Sequence, residues 1–108
     1  MVTETFYYAD GSEVGSVELG IDGMGWDREA ESHFCGYFYE FGGGRAEKQR
    51  AFGNGLGEAL SQGLGALRDA LEGEMERRGV EVFYATEDEA LAGKNGIGLE
   101  DVFGRLRG

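Results

Sequence analysis

Residues 32–45 read SHFCGYFYEFGGGR and hold the only histidine and the only cysteine of the chain, His33 and Cys35. Side chains alternate across a strand with a period of two. One side of this stretch is then His33, Cys35, Tyr37, Tyr39 and Phe41, and the other is Phe34, Gly36, Phe38 and Glu40. Both sides are largely apolar or aromatic. The stretch therefore predicts a central strand between a helical layer and a second surface, ended by the three glycines at 42–44. His33 and Cys35 face the same way, as a nucleophile and its base must. No third group orients them along the chain, although Glu31 and Glu40 stand nearby in sequence. A structural zinc ion needs about four ligands, and this pair supplies two. The cysteine reads as packed and the histidine as the start of a strand, with neither a catalytic role nor a metal.

Upstream, TETFYYA at 3–9 reads as a strand and DGS at 10–12 as a turn. In EVGSVELGI the apolar positions Val14, Val17, Leu19 and Ile21 do not keep one face, which predicts a bulge near Gly15 or Ser16. DGMGWD at 22–27 reads as a glycine-rich connection carrying Trp26, and REAES at 28–32 as a hairpin tip or a strand start. Three antiparallel strands in a meander follow from this order.

Downstream, Phe52, Leu56, Leu60, Leu64, Leu67, Leu71 and Met75 are spaced by three or four residues. Such a stripe is one face of a helix. The pattern predicts helix from about Arg45 to Arg78, either as one rod or as two pieces broken at 53–55, with Asn54 capping the second. Gly53, Gly57 and Gly63 lie beside the stripe and predict a close approach of helix to sheet, whereas Gly55, Gly65 and Gly73 lie away from it. GVEVFYAT at 79–86 reads as a fourth strand, opened by a glycine that closes the helix. Thr86 and Glu89 form a capping box ahead of a short helix. Leu99, Val102, Phe103 and Leu106 give a last amphipathic segment. The expected architecture is a single α+β domain over residues 1–108, in the order β-β-β-α-β-α.

Composition sets limits on partners. Asp and Glu number 21 against 10 Lys and Arg, for a net charge of -11. A surface of this sign repels nucleic acid and anionic membranes, so direct nucleic-acid binding and membrane association are not expected. The short basic clusters at 45–50 and 105–107 are too small to reverse that field. There is no apolar run near the roughly 18 residues of a membrane span. The opening MVTETFYYADG has no basic region and no long apolar segment, so no secretory leader is expected. One cysteine cannot form an internal disulfide, and cytoplasmic residence is expected.

FYYADGS at 6–12, HFCGYFYEFGGGRAE at 33–47 and VEVFYATED at 80–88 together resemble segments of the ribonuclease H family, over about half the chain. They are similar to its first strand, to its third strand leading into a helix, and to its fourth strand. The resemblance implies that Asp10, Glu47 and either Glu87 or Asp88 would hold two magnesium ions for phosphodiester cleavage. Read without the resemblance, Asp10 is a turn residue and the other three are favourable charges in first helical turns.

The expectation for function is a small acidic protein-binding module: an inhibitor, an immunity-type factor or an accessory protein. It needs no cofactor and has a partner with a basic patch; in one version that patch normally receives nucleic acid, whose charge the acidic groups would mimic. The acidic face of the long helix, Asp69, Glu72 and Glu76, and the aromatics Trp26, Tyr37 and Tyr39 are its candidate contact residues. The aromatic surplus also predicts a homodimer, since Tyr and Trp are favoured where chains meet. The alternatives are the metal nuclease and a structural homo-oligomer.

Overall fold

The computed structural model describes residues 2–44 and 47–107, without the side chains of Val2, Glu47 and residues 104–107. Four strands come first: β1 (Val2–Asp10), β2 (Glu13–Asp27), β3 (Ser32–Phe41) and β4 (Glu47–Gly53). Three helices follow: α1 (Leu56–Arg78), α2 (Glu87–Ala92) and α3 (Leu99–Arg107). The strands form one antiparallel sheet in the order β1-β2-β3-β4. The class is α+β, as expected, but the order is β-β-β-β-α-α-α.

The fourth strand is thus not the expected one. Residues 47–53 form β4, and the helix begins only at Leu56. β3 is apolar on both faces and needs a neighbour on each edge; β2 supplies one and β4 the other. Phe52 matched the helical stripe only by coincidence of spacing. It sits opposite Phe34 and is 43% exposed. The start of the expected helix at Arg45 lies outside the described residues. Asn54 does not cap α1 either: the N-cap is Gly55, with no side-chain hydrogen bond.

Residues 79–86 shrink to two bridges. The Tyr7 and Tyr84 backbones exchange hydrogen bonds at the outer edge of β1, while Phe83 pairs with Ile97 on its other side. A long fourth strand is absent here because the helix ends at Gly79 and α2 begins at Glu87, leaving little chain between them.

β2 differs from expectation at two points. The irregularity lies between Ile21 and Gly23, not at Gly15 or Ser16. Val17, Leu19 and Ile21 point into the core, and Asp22 is the extra residue. After it the phase shifts by one, so Met24 lies opposite Cys35 and Trp26 opposite His33, on the same side as Ile21. DGMGWD is therefore strand, not connection. Among the described residues β1 covers β2 as far as the Val2–Ile21 pair, and β2 from Asp22 to Asp27 pairs with β3 on one side only.

The core lies on one side of the sheet. Phe6, Val17, Leu19, Cys35 and Phe41 meet Leu64, Leu67, Leu71 and Met75 of α1, with Phe83, Val102 and Phe103 closing one end. Phe38, Tyr84 and Ala90 are buried outside that cluster, Phe38 on the other face of the sheet. The expected α3 contact of Leu106 lies outside the described side chains. The radius of gyration is 14.8 Å and the extents are 48 × 26 × 21 Å. A compact chain of this length would have a radius of about 13 Å; the excess reflects the long sheet and the helix lying along it. No helix among the described residues is long and apolar enough to cross a membrane.

Candidate functional site

An open concavity is built by the second half of α1 and the chain that leaves it. α1 ends at Gly79, whose φ of 68° is the left-handed conformation that glycine adopts without strain. The Val80 N–H donates to the Met75 carbonyl at 2.9 Å, which turns the chain back along the helix. α3 returns across the same end, and an Arg68–Glu100 ion pair ties it to α1. Between these parts lies an open groove of about 550 Å³.

Its floor is Met75, Val80 and Leu99, and its walls carry Glu72, Glu76 and Glu81. Arg68 also lines it but is engaged by Glu100. Glu74 stands on another face of the helix and takes both Arg77 and Arg78. No ion pair neutralises Glu72, Glu76 or Glu81 among the described residues. The groove therefore combines an apolar floor with uncompensated negative walls. Such a site suits a side chain that is apolar along its stem and cationic at its tip, as lysine and arginine are.

Sequence reasoning found two of these residues, Glu72 and Glu76. Asp69 is exposed on the neighbouring helix face and does not line the groove. Glu81, Val80 and Leu99 were missed. Their share in the site depends on how the chain folds back after Gly79, and no local pattern reports that.

The aromatic candidates lie elsewhere. Trp26 is 55% exposed and meets the His33 ring edge-on, with centroids 5.1 Å apart. Through the Trp26–His33–Gly53 row it stands by the start of α1, roughly 30 Å along the helix from the groove. Tyr37 is buried, and its hydroxyl donates to Gln49 at 2.9 Å. Tyr39 is half-buried against the core.

The carboxylates of the ribonuclease H resemblance are dispersed. Glu47 opens a strand and not a helix, and its side chain lies outside the described ones. In register it aligns with Tyr39, Leu19 and Glu4, on the edge strand opposite the one that carries Asp10. Three strand spacings and six residues separate Asp10 from Glu47, or about 24 Å. Glu87 and Asp88 are exposed in the first turn of α2. No group of three potential metal ligands occurs among the described residues.

Cys35 has no exposure, and burial, helped by the Asp22 charge, pushes its thiol pKa up. That keeps it protonated and a poor nucleophile. The Nδ1 atom of His33 is buried without a hydrogen-bond partner among the described residues. No family model, curated protein or solved structure matches this chain.

Proposed function

We propose that the protein is a binding module of the inhibitor or accessory class, whose partner inserts a lysine- or arginine-bearing segment into the groove between α1, residues 79–81 and the start of α3. The observation that carries this reading is the pairing of an apolar floor with three unneutralised carboxylates, Glu72, Glu76 and Glu81. The net charge of -11 supports it by steering a basic partner toward the molecule.

The test is fluorescence polarisation with a labelled peptide of alternating lysine and leucine. Binding is expected to weaken at least about tenfold between roughly 50 mM and 500 mM salt, as screening shortens the reach of the carboxylates. The triple variant Glu72→Gln, Glu76→Gln, Glu81→Gln should lose it, while Glu87→Gln with Asp88→Asn should not. Equal binding by the triple variant overturns the reading, because net charge alone would then be the attractant.

A further inference from the structure

The charge of the groove depends on one cation. In sequence, the residues three or four positions from Glu72 are Arg68, Asp69, Met75 and Glu76, and those from Glu76 are Glu72, Gly73, Gly79 and Val80. Residues at these spacings are neighbours on a helix surface. Arg68 is therefore the cation that α1 itself can set against the carboxylates of the groove, and it lines the groove with them. It is paired instead with Glu100, in the first turn of α3. The order of charges along the helix explains the choice. An acidic residue four positions before a basic one is the better arrangement, and the reverse is weaker. Glu74 and Arg78 have the better order and pair at 3.0 Å. Arg68 and Glu72 have the weaker order, and a carboxylate from another element takes the arginine.

We infer that Glu100 is a positioning residue: it holds Arg68 away from Glu72 and so keeps the groove free for a cation from the partner. This role rests on the groove being the binding site. The Arg68 and Glu100 side chains are 46% and 72% exposed, so water and salt weaken their pairing. Without Glu100, Arg68 turns to Glu72 on its own helix, one turn or about 6 Å further along the axis. One of the three unneutralised carboxylates is then compensated from within. The guanidinium also occupies space that an incoming lysine or arginine needs. Arg68 is thus a built-in competitor, and the start of α3 decides whether it competes. Leu99, the residue before Glu100, belongs to the floor of the groove. The same turn of α3 supplies both apolar floor and restraint.

The test is titration of the lysine–leucine peptide against a mutant cycle. Glu100→Gln should weaken binding about threefold to tenfold, the scale of one ion pair near a surface. Glu87→Gln, an equal change in net charge, should weaken it less than about twofold at roughly 150 mM salt. Arg68→Gln should tighten binding. On the Arg68→Gln background, Glu100→Gln should then cost no more than Glu87→Gln, because no competitor remains. A second measurement needs no peptide. The Arg68 Nε–H resonance of isotope-labelled protein should move with Glu100→Gln and not with Glu72→Gln, whereas on the Glu100→Gln background it should move with Glu72→Gln. A parent that binds no peptide overturns the groove as binding site, and the resonance still decides whether Glu100 restrains Arg68. The inference is overturned if Glu100→Gln binds as Glu87→Gln does, or if it loses as much with Arg68 as without. It is equally overturned if the Arg68 resonance ignores Glu72 once Glu100 is gone.

Discussion

Gly63 shows how closely α1 approaches the sheet. A Cβ built there would lie 2.8 Å from the Cys35 sulfur and 3.3 Å from its Cβ, inside a core where Cys35 has no exposure. Gly65, two residues on, faces open space. Substitution by alanine should therefore have opposite signs at the two positions. Gly63→Ala should destabilise by about 1–3 kcal/mol through overpacking, less what helix propensity returns. Gly65→Ala should stabilise by about 0.5–1 kcal/mol. Urea midpoints decide it, and two shifts of the same sign would refute the close approach. Cys35 itself gives a pH prediction. Its thiol pKa is raised by burial, so the protonated form favours the fold. That stability is complete below the ordinary thiol range and is lost as pH rises through it. Urea midpoints should fall between about pH 7 and pH 10, and Cys35→Ala should lessen the fall. Asp27 has the opposite sign. The Ala30 N–H, donating at 2.9 Å, and the Arg50 cation hold its carboxyl below the ordinary 3.8. Its contribution is present above the ordinary carboxylate range and fades as pH falls through the lowered value. A carbon-detected NMR titration with a midpoint at or above 3.8 would contradict this.

At the scale of elements, the long helix is held by its buried stripe and not by its start. Its N-cap lacks a side-chain hydrogen bond. Leu64, Leu67, Leu71 and Met75 are buried against the sheet, while Leu56, at the N-terminal end, is 48% exposed. Leu64→Asp should abolish folding, because it buries a charge without a partner; a variant with unchanged circular dichroism and a cooperative melt would show that the stripe is not core. The short α2 depends more on its cap. The Thr86 hydroxyl accepts from the Glu89 N–H at 3.2 Å, and three acidic residues fill the first turn. Thr86→Ala should destabilise by about 1 kcal/mol, read by hydrogen exchange at Glu89 and Ala90. No change in exchange there would mean that packing of Ala90 alone holds the helix.

Over the whole molecule, charge opposes compactness. The excess of carboxylates is 21 against 10, and the described ion pairs engage only Arg50, Arg68, Arg77 and Arg78. Screening this repulsion should raise the melting temperature between about 50 mM and 500 mM sodium chloride. A flat or falling melting temperature would mean that local pairs, which salt weakens, matter more than the net field.

Charge, the α+β class, the period-two faces of β3, the stripe from Leu60 to Met75 and the Thr86 cap were legible in the chain, because each rests on residues near one another in sequence. β4 was not. EKQRAFG has no strong pattern of its own, and it is a strand because β3, apolar on both faces, leaves an edge that must be paired. The same holds for residues 83–84, whose strand character ends where β1 has one bridge to offer. Of the groove, the sequence supplied the helical Glu72 and Glu76, four residues apart on one face. Glu81, Val80 and Leu99 joined them only through the reversal at Gly79 and the return of α3. Local periodicity determines which side of an element seeks the core. Which elements meet, and which edges remain open, depends on contacts between residues distant in sequence, and tertiary structure alone decides those.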